Sequence, residues 1–229
     1  MSRKTIFAPN EFYHLYNRGT EKRNVFLNKV DYERFLALLY LCNGKETIHL
    51  SNYQGSTLME RLLIERSNPL VDICAYCLMP NHFHLLIKEK AGNGASQFLQ
   101  KLTTAYTMYF NKRNERTGAL FQGRFKATLA QEDRYLKYLI SYIHLNPIKI
   151  IDPEWKENGV KNRKQAENFL EQYKYSSYLD YCGKNRLEEK IINKTALPEY
   201  FDSLSNFRDA IQFWLEYKSQ NSNSIKVQP

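Results

Sequence analysis

Met79-Pro80-Asn81-His82-Phe83-His84-Leu85-Leu86-Ile87 is the stretch from which the rest of the chain can be read. It has the apolar run of a buried strand, interrupted by two histidines. Side chains alternate along a strand, so His82 and His84 leave one face together while Phe83 points the other way, into a core. Two imidazoles side by side on a rigid element make half a site for a divalent metal. A bare His-x-His also arises by accident, as two polar residues on the wet face of an amphipathic strand. The neighbouring elements have to decide between the two.

Val71–Met79 reads as a second strand, joined to the histidine strand through the turn residues Pro80-Asn81. Upstream, Phe12–Tyr16 is a short aromatic strand stopped by Asn17-Arg18-Gly19. Between these strands the spacing of Phe35, Leu38, Leu39 and Cys42 predicts a helix over about 32–42, capped by Asp31. A short helix is expected near 56–64. Downstream, Phe98, Leu99, Leu102, Tyr106 and Tyr109 predict a helix from a cap near Ser96 to about Lys112. Leu120–Leu129 reads as a strand with a glycine bend, placing Gln122, Arg124 and Lys126 on one face if Gly123 does not shift the register.

The segment from Glu132 to Asn146 opens with acidic residues and ends at Pro147, as a helix should. Leu136, Leu139, Ile140 and Ile143 form its core stripe. Tyr138, Tyr142 and Asn146 recur at i, i+4, i+8 and share a different face; Tyr138 is expected at the rim of the core. Beyond Pro147 the chain is charged and looser, with an aromatic-polar segment at 173–181 that should pack back. Residues 203–218 read as an amphipathic helix, and the last ten as a disordered tail.

The 229 residues carry a net charge of +9, which favours a polyanionic partner. The 17 tyrosines and 13 phenylalanines supply rings beside basic side chains, the combination that binds single-stranded nucleic acid. No apolar run reaches the ~18 residues of a membrane span and the N-terminus lacks a signal-peptide core, so the expectation is a cytoplasmic protein without membrane partners. Cys74-Ala-Tyr-Cys77 has metal-site spacing, but positions i and i+3 of a regular strand face opposite sides. All four cysteines are therefore read as reduced thiols, mostly buried.

The order strand, helix, strand, strand, helix, strand implies an α+β fold: a ferredoxin-like split βαβ with an antiparallel sheet, helices on one face, and a C-terminal helical extension. The expected division is a domain over 1–182 and an extension over 183–229.

His82-Phe83-His84 resembles the HUH motif of single-strand endonucleases, in which U is a bulky apolar residue. Tyr142-Ile-His-Leu-Asn146-Pro147 resembles the nucleophile helix of the single-tyrosine HUH transposases, within the IS200-like superfamily. Tyr13-His-Leu-Tyr-Asn-Arg-Gly19, Gly118-Ala-Leu-Phe-Gln-Gly-Arg-Phe-Lys126 and Tyr175-Ser-Ser-Tyr178 match the REP-associated tyrosine transposases in order, over roughly residues 10–182.

That resemblance implies a Mg²⁺ or Mn²⁺ held by His82, His84 and Asn146. It also implies Tyr142 as the nucleophile that forms a 5′-phosphotyrosine bond with single-stranded or hairpin DNA. Tyr106, Tyr109 and Tyr138 also lie on predicted helices, and the family spacing to Asn146 selects Tyr142. His144 falls off that face and is read as structural or DNA-contacting. Arg18, Arg113, Arg116, Arg124 and Lys126 are the expected phosphate contacts. The family includes dimers that exchange the tyrosine helix, so a homodimer is admitted. The alternatives are a DNA-hairpin-binding protein that keeps the fold without chemistry, and another metal hydrolase. The latter would need further ligands, for which the other three histidines are not well spaced.

Overall fold

The computed structural model describes residues 6–46, 50–53, 55–199 and 204–216. The expected tail over the last ten residues lies outside them. Strands β1 (Phe12–Arg18), β2 (Val71–Met79), β3 (His82–Glu89) and β4 (Lys126–Leu129) form one sheet in the order β2-β3-β1-β4, antiparallel throughout. Helix α1 (Lys29–Leu41) and the short α2 (Leu58–Leu63) connect β1 to β2. Helix α3 (Gly94–Arg113) connects β3 to β4. This is the split βαβ arrangement: each helix crosses over a strand that belongs to the other half. After β4 come α4 (Asp133–Leu145), α5 (Trp155–Asn158), α6 (Arg163–Gln172), α7 (Tyr178–Tyr181) and α8 (Leu204–Glu216).

Helices cover both faces of the sheet, not one. Tyr13, Leu15, Phe83, Leu85 and Ile87 pack with Phe35 of α1, Phe98 and Tyr106 of α3 in a first core. Cys77, Met79 and Leu86 pack with Leu139 and Ile143 of α4 and with Phe207, Ile211 and Leu215 of α8 in a second. The physical reason is visible in β2 and β3, which are buried on both sides and so require a layer against each. The helix expected over 203–218 is α8, described from Leu204 to Glu216.

Three local expectations change. Asn28, not Asp31, caps α1 by accepting from the Val30 amide at 3.1 Å; Asp31 is fully buried and accepts from the Leu27 amide and the Tyr109 hydroxyl. The N-terminus of α3 is held by Glu89, whose buried carboxylate accepts from the amides of Lys90, Ala91, Gly94 and Ala95 at 2.8–3.1 Å. A Cβ at position 94 would lie 2.2 Å from the Leu70 carbonyl oxygen, so only glycine lets the helix start that close. Finally, β2 carries a bulge between Ile73 and Ala75. The extra residue reverses the alternation, and Cys74 joins Cys77 in the second core instead of facing away from it. All four thiols are unpaired and three are buried.

The strand expected over 120–129 is broken. Gly19 and Phe121 form one isolated bridge, Gly123 takes φ +65°, and regular pairing resumes only at Lys126. Gln122, Arg124 and Lys126 therefore do not share a strand face.

Candidate active site

The second face of the sheet holds the site. In the register of β1 on β3, Tyr16 lies opposite His84 and Arg18 opposite His82, while Lys126 of β4 lies opposite Tyr16. Directly opposed residues share a face, so His82, His84, Tyr16, Arg18 and Lys126 line one surface. Helix α4 lies across it and turns Tyr142 inward: the Tyr142 ring is 5.5 Å from the His84 ring, edge to face. The two histidine rings stand 4.9 Å apart and perpendicular.

Each expected metal ligand keeps one donor atom free. His82 Nδ1 meets the Asn81 side-chain oxygen at 2.6 Å, and the Asn81 amide nitrogen is itself oriented by the Lys22 carbonyl. Asn81 accepts, so His82 Nδ1 carries the proton and its Nε2 keeps the lone pair. His84 Nδ1 is engaged by His14 Nε2 at 2.9 Å, which leaves His84 Nε2. Asn146 donates its amide nitrogen to the Tyr142 carbonyl at 3.0 Å, which leaves its oxygen.

Burial lowers both site histidines, His82 to about 3 and His84 well below its usual value. Lys149 and Lys156 push His82 further in the same direction, and His82 and His14 do so for His84. Both rings are therefore neutral at pH 7, the form that binds metal. Two imidazole nitrogens and an amide oxygen fit a divalent cation. Among the described residues no group of three His, Cys, Asp or Glu side chains could hold a metal, so such an ion would depend on the asparagine.

Pro147 does not disrupt Asn146. The residue keeps helical dihedrals (φ −50°, ψ −38°), and the proline starts the 3-10 turn that follows. Asn146 thus stays one helical turn beyond Tyr142, buried beneath it.

Tyr142 is buried, and burial raises its phenol; the Asn146 side chain and the Lys149 charge pull it back. The Lys156 ammonium donates to the Tyr142 oxygen at 3.0 Å and sits 4.1 Å from the ring centroid. Tyr138 stacks beside Tyr142 at 5.8 Å, under Trp214 of α8. The other candidate nucleophiles lie elsewhere: Tyr106 is in the first core, bonded to the Val25 carbonyl, and Tyr109 is bonded to Asp31. His144 is fully buried against Ser177 Oγ and is structural.

The basic residues divide. Arg18 and Lys126 border the histidines; Lys126 lies 5.8 Å over the Tyr16 ring and the Arg18 charge is felt at His82. Arg124 is exposed in the loop before β4. Arg113 and Arg116 are not brought to this surface. Arg113 ends α3 and Arg116 follows it on the first-core side, where Arg113 engages Tyr109 and Asp31, and Arg116 engages Asn111.

Three residues of the site escaped the sequence reading. His14 reaches His84 through strand pairing across 70 positions. Lys149 is adjacent in charge but sits in an unpatterned stretch. Lys156 follows a buried tryptophan in a four-residue helix too short to show a period.

A family model described as "Transposase IS200 like" matches residues 66–146, from just before β2 to Asn146. No curated protein matches the chain. Among solved structures, a REP-associated tyrosine transposase bound to a REP hairpin is 10% identical, with a TM-score of 0.45 over 82% of this chain and 90% of that one. A tRNA(His) guanylyltransferase from Saccharomyces cerevisiae is 12% identical, with a TM-score of 0.37 over 87% of this chain and 86% of the other. The matched segment contains both site histidines, the inward tyrosine and the asparagine, so over these residues the chain is similar to the IS200-like transposases.

Proposed function

We propose that the chain is a metal-dependent endonuclease and strand transferase acting on single-stranded, hairpin-forming DNA. The observation that carries this reading is the meeting of Tyr142 with His84, which stands beside His82, each histidine with one ring nitrogen held and the other uncommitted. A bound Mg²⁺ or Mn²⁺ on His82, His84 and Asn146 would polarise the scissile phosphate as a Lewis acid.

The chain's own residues do the rest. The Tyr142 hydroxyl gives up its proton and its oxygen attacks phosphorus, the bond to the 3′ oxygen breaks, and that oxygen takes up a proton. The products are a 5′-phosphotyrosyl protein and a strand ending in 3′-OH. The new bond conserves the phosphodiester, so a second 3′-OH can attack it, join the strands and return the phenol. Asn81 and His14 hold the histidine rings in orientation. Arg18 and Lys126 meet the flanking phosphates, and Tyr16 between them offers a ring to an unstacked base.

The test is covalent trapping. End-labelled single-stranded hairpins are incubated with the protein and Mn²⁺, then run on a denaturing gel beside Tyr142→Phe and His82→Ala. A metal-dependent shifted band is expected from wild type alone. A band that survives Tyr142→Phe would relocate the nucleophile. Binding without any band, over a varied hairpin panel, would leave a non-catalytic hairpin-binding protein.

A further inference from the structure

We propose that Lys156 is the positioning residue for the Tyr142 oxygen, holding it in line and stabilising the phenolate formed when the hydroxyl gives up its proton. The inference rests on Tyr142 being the nucleophile, and adds a residue from outside the segment that matches the family model.

The placement of Lys156 is built by its surroundings. The 3-10 turn over Asn146–Ile150 continues directly from α4, and the Asp152 amide bonds back to the Ile148 carbonyl at 2.8 Å. The Asp152 carboxylate accepts from the Lys161 amide at 2.9 Å and so closes the loop that contains α5. Trp155, at the first position of α5, is buried in the second core. Lys156, the next residue, is thereby directed back over α4 and reaches a tyrosine 14 positions earlier.

What Lys156 does there is unusual for a lysine. Half-buried, it makes no ion pair among the described residues; its one hydrogen bond goes to the Tyr142 hydroxyl oxygen. A lysine kept only for packing loses the hydration of its ammonium with no carboxylate to offset the loss. Here the cation has two contacts on the same tyrosine. The hydrogen bond addresses the atom that would react, and the 4.1 Å approach to the ring face confines the ring's rotation. An ammonium donor bonds a phenolate more strongly than a phenol, so the contact tightens as the proton leaves the oxygen and readies it for attack. The site histidines are neutral, Arg18 and Lys126 sit on the far strands, and Lys149 acts on Tyr142 through its charge, which leaves Lys156 as the cation hydrogen-bonded to that oxygen.

The experiment compares wild type, Lys156→Met, Lys156→Arg, Lys156→Ala and Tyr142→Phe. It measures single-turnover covalent adduct formation at saturating hairpin DNA and Mn²⁺, with DNA Kd and Tm recorded for each. Lys156→Met is expected to slow the adduct by about 100-fold, the scale for losing one donor to a developing oxyanion, with Kd and Tm unchanged. Lys156→Arg should recover most of the rate, and added ethylammonium should raise the rate of Lys156→Ala but not of Tyr142→Phe. A normal rate in Lys156→Met beside an active wild type overturns the role while leaving the nuclease standing. So does a weakened Kd with an unchanged saturated rate, which would make Lys156 a phosphate contact. Unchanged slowness in Lys156→Arg, with no ethylammonium rescue, assigns the residue to packing. The absence of an adduct from wild type overturns both readings together.

Discussion

Both faces of the sheet carry helices, but they are built for different ends. On the first, β1 and β3 present Tyr13, Leu15, Phe83, Leu85 and Ile87 to α1 and α3, and the one carboxylate of β3 on that side, Glu89, is consumed by four backbone amides. On the second, the same two strands present His14, Tyr16, His82 and His84 to α4. Polar groups there are incompletely used: among the described residues His14 Nδ1 has no partner, and the site histidines each keep a free nitrogen. A face that satisfies its polar groups is finished as structure. One that leaves them poised has a further partner to meet.

Neighbouring residues on β3 give the sharpest contrast. Phe83→Ala should cost about 3–5 kcal/mol by opening a cavity among Phe35, Phe121 and the rest of the first core. His82→Ala should change stability by less than about 1 kcal/mol, because its ring is only half-buried. Its metal-dependent cleavage should fall at least about 100-fold, the scale seen when groups that merely orient metal ligands are lost. Urea unfolding and adduct formation, measured on both variants, read the two effects separately. If both variants lost stability equally, the division between the faces would collapse.

Between pH 7 and pH 5 acid should act on the second face, through its buried histidines. Burial lowers His14 and His144 to about 3 each, whereas an unfolded histidine titrates near 6.5. With folded values depressed, the unfolded state takes up protons that the folded state refuses. Stability is complete above pH 6.5 and declines as pH falls from there toward 3. Each histidine contributes about 2 kcal/mol of loss between pH 7 and pH 5. Urea midpoints at the two pH values check this, and His144→Gln should remove its share of the decline. Among the described residues, the buried histidines lie on the second face. A pH-independent midpoint would mean that these rings stay accessible to protons.

Glu89 is the test on the other side. Glu89→Ala leaves the α3 amides of Gly94 and Ala95 buried without acceptors, and should cost about 2–3 kcal/mol. Amide hydrogen exchange should speed at the first turn of α3 and stay slow in α4. Faster exchange in α4 as well would show that the two faces unfold as one unit.

What could be read from the chain in advance follows from range. The β2–β3 hairpin and helices α1, α3 and α4 repeat their apolar residues at 2 or 3.6 positions, so composition over ten residues reveals them. Tyr142, His82 and His84 were legible because each sits on such an element. His14 was not, because its role comes from a strand register spanning 70 residues. The Cys74 bulge was hidden too, since one inserted residue leaves hydropathy unchanged while reversing the faces. A helix of four residues has no period, so α5 and Lys156 were invisible as an element. The basic residues were legible as charge but not as place.

That last point gives the smallest predicted effect and the finest cut. Lys126 and Arg113 look alike in the sequence, and the fold separates them. Lys126 is exposed beside Tyr16 on the histidine face, while Arg113 ends α3 against Asp31 and Tyr109 on the other. If DNA lies only on the histidine face, Lys126→Ala removes one phosphate contact and flattens the plot of log K against log salt by about 0.7, the single-strand value per contact. Arg113→Ala should leave that slope as it is and lower stability by less than about 1 kcal/mol, since its ion pair is partly exposed. Equal changes in slope from the two variants would mean that the strand wraps past the edge at β4 and reaches the end of α3. The basic end of α3 would then belong to the DNA path even though its arginines are held by protein groups in the free chain.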